Sequence, residues 1–157
     1  MNVGIVGFGS IGTEVARALI NGVEDFSLYG ITSRSKSNAQ ERIDKLDKNI
    51  KIFDLQALVD NCEIIIDCAP KEAFREIATK CINKERKLIT VSGSGILDNL
   101  DLEKLAKNNN SQIILATGAI LGLDALRAAS ESNINSVTMI TRKPPNALTN
   151  AQYVINN

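Results

Sequence analysis

Histidine occurs nowhere in the 157-residue chain, so the side chain whose ordinary pKa best suits proton transfer near neutrality is missing. A surplus of either charge is missing too. Eighteen Lys and Arg balance eighteen Asp and Glu, which leaves no electrostatic footprint for nucleic acid or an anionic membrane. No apolar run approaches the ~20 residues of a membrane span, and the Met1 end enters a strand-like pattern without a basic or secretory leader segment. The three cysteines, Cys62, Cys68 and Cys81, are odd in number and lack motif spacing. They suit a reducing cytoplasm better than a disulfide framework, so a cytoplasmic location is expected. Repeats, low-complexity tracts and Pro/Ser linkers are absent as well. What remains is ordinary for a globular domain: 44% hydrophobic and 23% charged residues.

Short β-branched runs alternate with segments of helical periodicity. "MNVGIVGFGS" is a glycine-closed strand, and "IGTEVARALIN" follows with Ile11, Val15, Ala16 and Leu19 at helical spacing. "FSLYGITSRS" reads as a second strand, Ser35 to Asn49 as a polar helix or loop, and "IKIF" as a short third strand. "LQALVDN" reads as a helical turn before "CEIIIDCA", whose unbroken apolar centre suits a strand buried on both faces. A helix over "KEAFREIATKCIN", a strand "RKLITVSG", a helix "LDLEKLAKNN" and a sixth strand "SQIILATG" complete the series. The alternation predicts an α/β, Rossmann-type doubly wound parallel sheet over residues 1–120. Residues 121–157 then read as the first helix and strand of an incomplete α/β substrate domain, with "INSVTMITR" as that strand. Such a lone strand is expected to pair with a second copy or to pack back on the sheet.

Gly7, Gly9 and Gly12 form G-x-G-x-x-G, placed after the first strand and at the opening of the first helix. In that context the pattern points to a dinucleotide, with the pyrophosphate on the helix N-terminus. Phe8, Ser10 and Ile11 complete the loop. An NAD site usually carries an acid at the end of the second strand for the ribose 2′-hydroxyl. Here Ser33, Arg34 and Ser35 stand there, with no carboxylate before Glu41. A guanidinium and two hydroxyls suit a 2′-phosphate, so NADP is expected in preference to NAD. An Arg34 that is merely solvated, or stacks on the adenine of either cofactor, is the alternative.

Ligands of such sheets lie across the carboxyl ends of the strands. That puts Cys68, Ala69 and Pro70, then Ser92, then Gly118 and its neighbours on the nicotinamide side. Cys68 reads as a small apolar filler, since no histidine is present to activate it.

Four stretches carry a resemblance: "GFGSIG", "DCAPKEAFRE", "TVSGSGILDN" and, most specifically, "TGAILGLDALRAA" followed by "SVTMITRKPP". Together they resemble L-aspartate dehydrogenase in register along the whole chain. The resemblance implies NAD(P)-dependent oxidative deamination of L-aspartate to iminoaspartate, then oxaloacetate and ammonia, linked to NAD biosynthesis. It implies a Rossmann domain followed by a substrate and dimerisation domain, hence a homodimer, and it makes Ala119 a cofactor contact. The family's acid/base histidine belongs to a later segment, beyond Asn157, so a truncated form with weak or no turnover is expected. Arg142 is then the candidate clamp for a carboxylate of aspartate, and Lys143 a weak candidate base. Both also read as solvated residues capping a strand. Two alternatives stay open: an enzyme that uses Lys143 or Tyr153 for proton transfer, and a non-catalytic NADP-binding sensor or regulatory subunit.

Overall fold

The computed structural model of the chain describes residues 1–118, 122–140, 142 and 144. They divide into two units, Met1–Gly118 and Ala119–Asn157.

The first unit is organised around β1, Asn2–Val6, whose last four residues are buried. On one side it pairs with β2, Ser27–Thr32, and on the other with β3, Ile64–Asp67. β4, Lys87–Thr90, and β5, Gln112–Leu115, extend the sheet beyond β3. Every pairing is parallel, and the order is β2-β1-β3-β4-β5. The order reverses between β1 and β3, which makes that junction the topological switch point.

Successive residues of a strand face opposite sides, and β1 shows this through Ile5 and Val6. Ile5 joins Ile31 and Phe8 under α1, Ser10–Ile20, and α2, Lys36–Leu46, which contribute Ala16, Ala39 and Ile43. Val6 joins Ile65 and Leu88 on the other face. There α3, Leu55–Asn61, α4, Phe74–Asn83, and α6, Asp101–Asn108, bury Leu58, Phe74, Ile77, Ile82 and Leu102. Burying each of these larger side chains is worth about 1.5–3 kcal/mol, which is how short strands of four residues are held. Helix starts are set locally: Ser35 Oγ accepts from the Asn38 amide at 3.4 Å, and Asp54 Oδ1 accepts from the Ala57 amide at 2.7 Å.

The structure departs from the sequence expectation in two places and decides between two readings at a third. "IKIF" does not form a strand. Ile52 makes a single parallel bridge with Ile31, through Ile31 N–H to Lys51 O at 2.9 Å and Phe53 N–H to Ile31 O at 2.8 Å. Three residues between a turn at Asp47–Ile50 and the cap at Asp54 leave no length for a ladder. Among the described residues five strands rather than six result. The polar stretch after Ser35 settles as helix α2. A short helix absent from the expectation, α5 over Gly93–Leu97, follows β4, capped by Ser92 Oγ accepting from the Gly95 amide at 3.3 Å.

In the second unit α7 spans Leu123–Ala129 and starts after Gly122. The expected strand is corrected: residues 133–140 adopt no regular structure. A strand needs a neighbour for its amides and carbonyls, and none of the described residues pairs with this segment. Val137, Met139 and Ile140 are 58%, 70% and 77% exposed.

Candidate functional site

The glycine turn is built against its surroundings before any ligand is considered. Gly7 has φ +88°, and a Cβ there would stand 2.7 Å from the Cys68 carbonyl and the Ala69 amide nitrogen. Only glycine accepts that conformation with that neighbour. Its amide donates to Thr32 O at 2.9 Å, and the Cys68 amide donates to Val6 O at 2.7 Å, so the exits of β1, β2 and β3 are tied together. A Cβ on Gly12 would collide with the Gly7 carbonyl oxygen, so α1 packs on the turn itself.

Gly9 differs from both. Its φ is −87°, and a Cβ there would meet nothing within 4 Å. The turn is closed behind Gly7 and Gly12 and open in front of Gly9. Gly9 offers α1 no side-chain cap, and the first helical bond is Thr13 N–H to Gly9 O at 3.0 Å. The amides of Ser10, Ile11 and Gly12 therefore precede the helical ladder as free donors at the positive end of the dipole. A group that is anionic, comes close to the backbone at Gly9 and is hydrogen-bonded by amides fits this opening, as a pyrophosphate does.

Along the rim, the Val91 amide donates to Asp67 O at 3.2 Å and the Ala116 amide to Thr90 O at 2.9 Å. The sequence-predicted residues Cys68, Ala69, Pro70, Ser92 and Gly118 thus follow the ends of adjacent strands. Gly118 is exposed, with φ +63°. At the end of β2, Arg34 is exposed and Ser33 half-buried. Ser33 Oγ donates to Ser35 O at 3.3 Å. Phe8 needs correction as a contact residue: its side chain is 4% exposed and packs with Ile5, Ala16 and Ile31. Only its backbone belongs to the turn. Ser92 is largely buried, with its hydroxyl engaged as the cap of α5.

The Cys68 thiol is pushed up to about 11, chiefly by burial and secondarily by Asp67, so it stays protonated at neutral pH. That is the electronic state of a filler rather than of a nucleophile. Two side chains that the sequence reading passed over close this layer. Asp67, 1% exposed, accepts from the Ala69 amide at 2.9 Å and from Thr90 Oγ1 at 2.7 Å. Burial holds its carboxyl above the ordinary value despite both bonds. A polar residue ending each apolar run, "IIID" and "LIT", was the available signal.

Arg142 is exposed and lies in the second unit. Ala119, Lys143 and Tyr153 lie outside the described residues. Among the described residues no acid, cysteine or histidine cluster is arranged to hold a metal ion, and no helix is long and apolar enough to cross a membrane.

Residues 7–116 match the family described as homoserine dehydrogenase, NAD binding domain. The chain belongs to this family of NAD-binding domains. The resemblance to L-aspartate dehydrogenase extends over the domain and beyond it. The chain is 36% identical over 157 residues to the L-aspartate dehydrogenase of Bradyrhizobium diazoefficiens, covering 100% of this chain and 56% of the relative. It is 35% identical to that of Methanocella arvoryzae, covering 99% and 58%. The chain therefore spans somewhat more than half the length of these relatives. Among solved structures it is similar to a probable dehydrogenase from Thermotoga maritima, with a TM-score of 0.66 at 20% identity, covering 83% of this chain and 41% of that one. A UDP-N-acetylglucosamine 3-dehydrogenase from Acidithiobacillus ferrooxidans matches with a TM-score of 0.62 at 15% identity, covering 82% and 43%. These last two likenesses concern the fold. The Rossmann-type NAD-binding domain is the shared part.

Proposed function

We propose that this chain supplies the dinucleotide-binding portion of an NAD(P)-dependent dehydrogenase acting on L-aspartate, and that it prefers NADP. The observation that carries the reading is the glycine turn, closed on Cys68–Ala69 behind Gly7 and open before Gly9, in a chain whose curated relatives are L-aspartate dehydrogenases. Bound there, the nicotinamide would accept a hydride from the amine-bearing carbon of the substrate. The chain's own residues hold and orient it. The amides of Ser10, Ile11 and Gly12 take the pyrophosphate, while Cys68, Ala69, Pro70 and Ser92 line the approach of the nicotinamide half. Arg34, with Ser33 and Ser35, takes the 2′-phosphate, where a carboxylate would repel it. Arg142 orients a carboxylate of the substrate and Lys143 stands as the candidate proton-transfer group.

The test is reduction of NADP and of NAD by the purified chain with L-aspartate at alkaline pH, beside titration of each cofactor. Tighter NADP than NAD binding supports the preference, and equal or tighter NAD binding refutes it. The lack of any histidine favours one second reading, a protein that binds NADP without turnover. Saturable binding with no aspartate-dependent reduction selects it. A homodimer formed through residues 121–157 belongs to the same proposal. Size-exclusion at the monomer volume refutes it.

A further inference from the structure

Asp67 and Thr90 end β3 and β4 at the edge where the cofactor turns lie, yet the dinucleotide fingerprint assigns them nothing. Both are buried, at 1% and 0% exposure. A buried carboxylate is costly unless its oxygens are partnered, and here both are. Asp67 Oδ1 accepts from the Ala69 amide at 2.9 Å, and Oδ2 accepts from Thr90 Oγ1 at 2.7 Å. Thr90 Oγ1 in turn accepts from the Ser92 amide at 3.0 Å, and Ser92 Oγ accepts from the Gly95 amide at 3.3 Å, starting α5. Among the described residues no buried side-chain polar atom lacks a partner. One hydrogen-bonded chain therefore runs from the turn after β3 to the helix after β4.

The strands do not need it. Asp67 and Thr90 already face each other in the parallel ladder, and the Val91 amide closes on Asp67 O at 3.2 Å. What the side chains fix lies beyond the ladder: Ala69, which stands against the Gly7 turn, and Ser92. An apolar pair such as Val and Leu would bury at less cost in those strands. We infer that Asp67 and Thr90 form a positioning clamp that sets the two strand-exit turns for the nicotinamide half of the dinucleotide, acting through Ala69 and Ser92 without touching it. The inference rests on the cofactor lying across these strand ends.

The experiment is fluorescence titration of the full chain with NADPH and NADH, each variant compared with wild type well below its melting temperature. Thr90→Val keeps the shape and removes the bridging hydroxyl. It should weaken both cofactors on the order of tenfold, as expected when a supporting contact lets a binding turn shift. Thr90→Ser, which restores the hydroxyl, should bring the affinity back to within about threefold of wild type. Should Thr90→Val fail to fold, Asp67→Asn takes its place: it retains an acceptor for the Ala69 amide and alters the link to Thr90. Wild-type affinity in Thr90→Val, or in Asp67→Asn where that replaces it, overturns the clamp, as does a Thr90→Ser protein as weak as Thr90→Val. A wild-type chain that binds neither cofactor overturns the underlying cofactor reading and the clamp with it, a result distinct from equal affinities.

Discussion

Replacing Gly9 by alanine adds one methyl group at the position where the glycine turn is open. Its φ of −87° is ordinary for alanine, and the added Cβ would meet no atom of the protein within 4 Å. The folded state therefore has no reason to lose stability. A shift within about 0.5 kcal/mol is expected for a substitution with no such contact, or a small gain from a less flexible unfolded chain. The dinucleotide has a different view of the same methyl. A pyrophosphate seated on the Ser10–Gly12 amides passes over Gly9, and an added carbon in a filled contact costs about 1–3 kcal/mol. That corresponds to an affinity loss of roughly 5- to 150-fold. Gly12→Ala supplies the contrast. Its Cβ would lie inside the Gly7 carbonyl oxygen, so α1 must move off the turn, and destabilisation of about 1–3 kcal/mol or more is expected before any ligand is added. The assay is a thermal melt of each free protein together with cofactor titration. The reasoning fails if Gly9→Ala binds NADPH as tightly as wild type, or if it melts as early as Gly12→Ala.

Three further outcomes follow from the same structure. Arg34→Ala should weaken NADP by about tenfold or more, the size of a lost charged hydrogen bond, with NAD changed little; equal losses for both would assign Arg34 to the adenine instead. Asp67 is buried and its carboxyl sits above the ordinary 3.8. In the window above that value the folded state keeps a proton the unfolded state has lost, so this contribution to stability falls as pH rises. Urea midpoints should show Asp67→Asn gaining on wild type as pH rises from the ordinary carboxylate value, and a difference that is constant with pH contradicts it. Burial pushes Cys62 and Cys68 up to about 11 and Cys81 to about 12. At neutral pH about one thiol in ten thousand is then ionised at the first two, so alkylation of the native protein should be slow and become fast on unfolding. Rapid labelling of the native chain would contradict the packing.

Much of this was legible in the residues because parallel sheets write themselves plainly. "NVGIV" and "EIIID" lack polar alternation, as strands covered on both faces must, and the three glycines stand where β1 becomes α1. The misses have physical causes. "IKIF" has strand composition, but Asp47 turns the chain before it and Asp54 caps a helix just after it, which leaves one bridge with Ile31. "GSG" reads as a turn, yet Ser92 caps it into α5, and Gly95 is needed because a Cβ would press on Phe74 at 2.8 Å. Phe8 occupies a fingerprint position by number, whereas its side chain turns inward to the Ile5 cluster. Asp67 and Thr90 were the least visible. A polar residue at a strand end is usually solvated, and only the register Asp67–Thr90 places the two side chains face to face in the interior. "INSVTMITR" alternates as a strand does, but alternation supplies no neighbour to pair with.

The account turns on whether a dinucleotide sits on the start of α1, at the junction of β1 and β3. Amide chemical shifts of the isotope-labelled chain, followed during NADPH titration, test this directly. Saturable shifts of Ser10, Ile11, Gly12 and Ala69, with the α6 amides of Leu102 and Ala106 unmoved, are the predicted result. Saturable binding that leaves Ser10 to Gly12 unmoved, or no binding up to about 1 mM, near the weak end of the affinity scale, would contradict it.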